Sequence, residues 1–415
     1  MNFKQWRAWV RSKPWNLKWF ILLIILRPII DNFYFLKETN ILLSPLYWVG
    51  LITPFLCLWG INNSIRYKSI VMPFFKIWAF FVFLSVILIA TNFNDNIINY
   101  LMAILKLTLP FFIFLFCLHF IKNSTDLLGI LQAFVYSLMF VILLLGYEIF
   151  ITPVRVTFRS EDVSRIQGNF GDVASYGLYL SIGLLTILYF NLKDRVRKKK
   201  SNKYIFVITI IILIIALPEL NHAATTLCLL LLLALFIYFV SKRNLVPAIL
   251  LLISLIFIWK FFGEEIYNNF ILPLYQKDIE VISGKANPDA LFHGRVGRWE
   301  QLIKIWVELP LFAKLFGIPS SYYDPGLLLV SGTHNDFVRY LFFIGVFGLI
   351  SYLTLLFVIL RQILKLHDEN LFLGLGAFFL LVLFSITLTP TLYPNFIYVI
   401  FSIFAFASLP KRYQT

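Results

Sequence analysis

Apolar stretches of about 17 to 25 residues recur along the whole chain, separated by short polar connections, and each is long enough to cross a bilayer as a helix. In the first half the pattern predicts spans at Trp19 to Leu36, Ser44 to Gly60, Val71 to Ala90, Ile97 to Phe120, Leu127 to Ile151 and Val173 to Phe190. The second half adds Tyr204 to Leu217, Ala223 to Val240, Leu245 to Phe262, Phe337 to Leu360, Leu371 to Leu388 and Phe396 to Leu409, twelve in all. The Ile97 to Phe120 run contains Lys106 and Pro110 and reads either as a full span or as a shorter one preceded by an interfacial turn. Tyr204 to Leu217 is short for a full crossing.

Lysine and arginine in the short connections orient the spans, because cationic loops are retained on the cytoplasmic side. With the N-terminus inside, 21 basic residues fall in cytoplasmic segments, among them Lys4, Arg7, Arg11, Lys13, Lys18 and the cluster from Lys193 to Lys203. Only Lys37, Arg155, Arg159 and Arg165 fall in the short outer loops, so both termini are expected in the cytoplasm. The chain then divides into spans 1–9 over residues 1–262, with an arginine-bearing outer loop at 152–172, a large outer loop over 263–336, and spans 10–12 over 337–415.

Composition agrees with this layout. Hydrophobic residues make up 60% of the 415, charged residues only 14%, and the mean hydropathy is +0.84, which no soluble domain of this size shows. The formal net charge of +15 is explained by the cytoplasmic loops beside anionic lipid, so nucleic acid is not an expected partner. The first apolar run lacks a small-residue cleavage site and holds Arg27 and Asp31, and so reads as a retained span. Cys57, Cys117 and Cys228 all fall inside spans, and the five histidines are scattered without ligand spacing, so neither a disulfide framework, a metal site nor a cofactor is expected.

Charges inside the spans must find a partner, a cavity or an interface. Arg27 and Asp31, four apart, can pair on one helix, or Arg27 can reach a bound diphosphate instead. Glu148, Lys260 and Arg339 lie near the outer ends of their spans and are expected to reach for the surface.

Polar chemistry concentrates in the two outer segments. In the large loop, Trp299, Leu302, Ile303, Trp306 and Leu309 recur at helical spacing, which predicts a short helix lying at the interface or packed over the bundle, with Arg295 and Arg298 just before its start. His334 stands where that loop re-enters the membrane. An imidazole there, with an unperturbed pKa of about 6.5, suits proton transfer at a membrane surface. It is followed by Asn335 and then, after nine residues, by Gly345 and Gly348.

This spacing resembles the H-[NSQ]-x9-G-x-x-[GTY] signature of bacterial O-antigen ligases and the related O-antigen and capsule polymerases. Two further stretches are similar to family segments: GRVGRW at Gly294 to Trp299 followed by Pro310 to Gly317, and RIQGNF at Arg165 to Phe170. The chain departs from the family where Gly171, Asp172 and Val173 replace an Asn-Pro-Asn-like turn.

The resemblance implies an all-α polytopic membrane protein of GT-C-like glycosyltransferase fold, with short helices in a periplasmic loop, in the bacterial inner membrane with a periplasmic active site. It further implies an undecaprenyl-diphosphate-linked glycan as donor, a sugar hydroxyl of lipid A core or of a growing glycan as acceptor, and no metal or cofactor. His334 would be the catalytic base. Arg165 and Arg295, with Arg298 and Arg159 as substitutes, would bind the diphosphate, since a guanidinium stays protonated and grips two phosphate oxygens. Asn335 and Asp336 would orient the imidazole or the acceptor, with Trp299, Gly345 and Gly348 in support. Some polymerases of the family carry Arg-x10-Gly repeats in both outer loops; none of Arg155, Arg159, Arg165, Arg295 or Arg298 has that glycine, which leans towards ligation over polymerisation. Twelve spans also suit a transporter of lipid-linked glycans, but the large loop has no counterpart in the first half, as matching halves would require.

Overall fold

The computed structural model describes residues 3–39, 43–61, 69–91, 97–153, 156–160, 163–168, 170–196, 220, 222–242, 260, 263–264, 267–268, 272–285, 291–317 and 334–411. Of the predicted spans, Tyr204 to Leu217 and all of Leu245 to Phe262 except Lys260 lie outside these residues.

The first half opens on a short amphipathic helix, α1 (Phe3–Arg11), followed by α2 (Trp15–Asp31), α3 (Tyr34–Thr39), α4 (Pro45–Ile61), α5 (Met72–Thr91), α6 (Ile97–Phe120) and α7 (Ser124–Phe150). A β-hairpin of β1 (Val156–Ser160) and β2 (Val163–Ile166) leads into α8 (Val173–Val196) and α9 (Ala223–Ser241). The large loop contains α10 (Leu272–Ile282), α11 (Leu291–Glu308) and α12 (Leu311–Phe316). Then come α13 (Asp336–Ile363), α14 (Asp368–Thr387), a 3-10 turn (Pro390–Leu392) and α15 (Pro394–Ala407).

Ten predicted spans therefore coincide with helices, and the Ile97 to Phe120 run is one continuous helix despite Pro110. Among the described residues five helices are long and apolar enough to cross a membrane: α7, most of α8, α9, α13 and α14. Shorter apolar stretches occur in α4, α5, α6 and α15. Large apolar side chains such as Phe55, Trp59, Phe80, Leu143 and Phe357 are exposed on the outside of the bundle, as a chain surrounded by lipid requires and a water-soluble one avoids. The protein is a helical membrane protein.

The centre of the bundle is made by α8 and α15, whose residues are buried almost throughout. Gly177, Gly183 and Gly376 lie where a side chain would strike Thr225, Leu138 and Leu185 of neighbouring helices, the close approach that small residues permit in lipid. At one end, α1 is docked by its tryptophans: Trp6 Nε1 donates to the Gly129 carbonyl at 2.9 Å, and Lys13 pairs with Asp126 at 2.6 Å.

The hairpin is the one departure from the expected all-α chain among the described residues. The β-branched and aromatic residues Val156, Thr157, Phe158, Val163 and Ile166 suit a two-stranded ladder, in which Arg165 stands opposite Thr157.

The predicted helix of the large loop exists, but it begins earlier than expected. Arg295 and Arg298 lie inside α11 and not before it. Leu302 and Leu309 are buried against Ala313 and Phe342, while Ile303 is exposed, so one edge of the expected stripe packs on α13 through a small second core.

α12 meets α13 at Gly345, whose φ of 67° and ψ of −176° break the helix. A Cβ at Gly345 would overlap the backbone of Leu315 and Phe316. Gly345 thus seats α13 against the loop. Gly348 does not: a Cβ there would meet Ile344 of its own helix across the break. Gly345→Ala combines a left-handed alanine with an overfilled contact and should destabilise the protein by about 2–4 kcal/mol. Thermal unfolding in detergent measures it, and an unchanged midpoint would mean that the break is not needed.

Candidate functional site

The site begins with a turn. In RIQGNF, Gly168 takes a φ of 63°, Gln167 Nε2 donates to the Phe170 carbonyl at 2.8 Å, and the fully buried Phe170 ring sits edge-on to Tyr176 at 4.8 Å. This turn delivers Asp172 to the start of α8, where its Oδ1 accepts from the Ala174 N–H at 3.0 Å and its Oδ2 from the Tyr393 hydroxyl at 3.1 Å. The departure from the family pattern at 171–173 is therefore a helix cap that reaches across to the turn before α15.

His334 is held two residues before α13. Asn335 Oδ1 caps that helix, accepting from the N–H groups of Phe337 and Val338 at 2.9 and 3.1 Å, and its Nδ2 donates to the Ile386 carbonyl at 3.3 Å. Asp336 is fully buried and accepts from Arg339 Nε at 3.0 Å, from the Thr391 N–H at 3.1 Å and from the Thr391 hydroxyl at 2.9 Å. Asn335 thus caps the helix, and Asp336 anchors it to the turn at Pro390–Leu392. Between these constraints His334 adopts a left-handed φ of 45°, a conformation that costs a non-glycine residue on the order of 1 kcal/mol and persists only where the surroundings enforce it.

The charges around His334 come from three separate parts of the chain. Burial lowers its pKa below the usual histidine value, the positive charges of Arg295 and Arg298 lower it further, and the Asp172 carboxylate opposes them. Arg165 belongs to the same field, its pKa lowered by partial burial and supported by Asp172, and its Nε has no hydrogen-bond partner. Four expected residues are thus brought into one electrostatic neighbourhood, with Asp172 as an unforeseen fifth. Arg159 lies in β1, with its side chain outside the described residues. Trp299 is half-buried on α11, one residue beyond Arg298.

A cavity of about 380 Å³ opens beneath His334 and Asp172, within the range of small-molecule sites at about 300–1,000 Å³. Its wall is made by the C-terminal ends of α2 and α14, the N-terminal ends of α4, α8, α13 and α15, and the first half of α6. All of these ends meet around the one cavity. Arg165, Arg295 and Arg298 are not part of the wall. Among the described residues, no three His, Cys, Asp or Glu side chains converge as a metal site would require.

The charges inside the spans behave differently from expectation in two cases. Arg27 and Asp31 do pair, at 2.7 Å, and Lys260 is exposed. Glu148 and Arg339, however, turn inward: Glu148 is buried and accepts from the Tyr176 hydroxyl at 2.5 Å, and Arg339 is buried on Asp336. Both are short of the surface and have a partner in reach, which in a low-dielectric interior is worth more than a path to water.

Compared with known proteins, the chain matches no family model and no curated sequence.

Two expectations follow. If His334 acts as a base it must be neutral, so activity is lost as pH falls through its lowered pKa, and the acid limb of the rate profile lies below that of an ordinary histidine. Arg295→Gln removes one cation and should move that limb upward, whatever it does to the maximal rate; a limb that stays in place would separate Arg295 from His334. Asp336→Asn should leave Arg339 as a buried charge without its counter-ion and cost about 3–5 kcal/mol, much of it recovered in Asp336→Leu with Arg339→Leu. Thermal unfolding of the single and double variants checks this.

Proposed function

We propose that this protein is a membrane glycosyltransferase of the O-antigen ligase type, acting at the periplasmic face of the bacterial inner membrane. It would move a glycan from undecaprenyl diphosphate to a sugar hydroxyl of lipid A core. The observation that carries this reading is His334: an imidazole in the wall of a cavity, its pKa lowered by burial and by two arginines, beside the charges that a departing diphosphate needs.

The chemistry follows from the parts. The acceptor hydroxyl is a poor nucleophile and gives its proton to the neutral imidazole as its oxygen attacks the anomeric carbon. The bond from that carbon to the diphosphate oxygen breaks, and the electron pair leaves with the diphosphate. Arg295, Arg298 and Arg165 supply fixed positive charge where that anion develops, which lowers the barrier without reorganisation at the moment of transfer. Attack from the face opposite the leaving group inverts the anomeric centre. Because Arg295 and Arg298 also depress the pKa of His334, leaving-group stabilisation and the proton affinity of the base are coupled.

Deleting the protein in its host and separating the surface glycolipid on a gel tests the assignment. A ligase deletion leaves lipid A core without O-antigen while long chains accumulate on the carrier. Core bearing a single repeat unit would instead identify a polymerase, and an unchanged pattern would exclude both. His334→Ala, expressed at normal level, should reproduce the deletion, with transfer in membranes reduced by about 100-fold or more.

A further inference from the structure

We infer that the cavity beneath His334 is a sugar-binding chamber, in which Arg27 and Asn395 hold one monosaccharide unit of the acceptor. The inference rests on the proposed transfer for the role of that sugar, but its physical basis is separate.

Arg27 is 94% buried and Asn395 is 96% buried, and both form part of the cavity wall. Arg27 Nε lies 2.7 Å from Asp31 Oδ1 as an ion pair, and its Nη1 has no hydrogen-bond partner. The Asn395 Nδ2 has none either. A buried donor left unmade costs about 1–3 kcal/mol, and more when it is charged. Two such donors, on side chains of α2 and α15 that both line one cavity, point to a ligand that brings oxygen acceptors.

The rest of the wall says which kind. Two positive charges, Arg27 and Lys106, are matched by two carboxylates, Asp31 and Asp172. A wall so balanced gives no net attraction for a dianion, and its carboxylates would repel one. The same carboxylates accept hydroxyl protons, and the rings of Tyr34 and Tyr393 provide flat apolar surface with a polar end. Donors that need oxygen, acceptors that need a hydroxyl and aromatic faces together match a polyhydroxylated ring. The three arginines outside the wall are left for phosphate. A sugar in this chamber has His334 above it, where a hydroxyl of the bound ring meets the base.

The test uses the purified full-length protein in detergent. Thermal unfolding is followed alone, with free glucose, galactose or N-acetylglucosamine, and with inorganic pyrophosphate. At least one monosaccharide should raise the midpoint. Asn395→Leu removes an unpaired amide, so its ligand-free midpoint should equal or exceed that of the native protein while the sugar-induced shift disappears. In membrane vesicles its KM for the core acceptor should rise about tenfold, the loss of one good hydrogen bond. A fall in the ligand-free midpoint would mark Asn395 as structural and overturn the inference. So would the absence of any sugar-induced shift, its survival in Asn395→Leu, or a pyrophosphate shift that Asn395→Leu abolishes.

Arg27→Gln with Asp31→Asn, which removes the charged pair without stranding either charge, gives an independent reading. It should weaken the sugar shift, and a full shift in this variant would equally overturn the chamber. The binding measurement needs no transfer. Sugar binding without transferase activity would remove the proposed function and leave the chamber, whereas transfer without sugar binding would remove the chamber alone.

Discussion

The carboxylate of Asp336 holds the site together. It is wholly buried and takes hydrogen bonds from Arg339 in its own helix and from Thr391 in the turn between α14 and α15. Removed from water, a charge has to be matched by its surroundings, and here the match joins the start of one helix to the start of another. His334 lies two residues before Asp336, and Tyr393 and Asn395 lie two and four residues after Thr391. The positions of all three follow from the one interaction.

Asp172 extends the same logic to the earlier loop. It caps α8 and accepts the Tyr393 hydroxyl, so the RIQGNF turn, and Arg165 within it, is tied to the segment that Asp336 already anchors. The large loop is joined by shape instead of charge: α12 fits against the backbone of α13 only because Gly345 carries no side chain. Three segments distant in sequence therefore meet at His334 by a cap, a buried ion pair and a glycine contact. Each of the three contacts fixes the position of a segment that borders His334.

Much of this was legible in the chain. The spans show because lipid tolerates only long apolar helices, and ten of them correspond to helices within a few residues. Arg27 and Asp31 were readable as a pair because four residues make one helical turn. Arg295, Arg298 and His334 stood out by residue type and spacing, and the structure brings their charges together. Asp172 was missed as a partner although its place before an apolar run is a capping signal, because the reach to Tyr393 crosses 221 residues. Adjacency to His334 suggested a role in chemistry for Asn335 and Asp336, and what the chain did not show is that Asn335 caps the helix and Asp336 reaches Thr391.

By itself the sequence determined that the chain is a helical membrane protein and where most of its helices run, since these depend on local composition and period. Only the tertiary structure decided which buried charges meet and which donors are left unmade, because those depend on how helix ends far apart in sequence converge. Arg27 and Asn395 are separated by most of the chain and share no pattern, yet both line the cavity that His334 also lines.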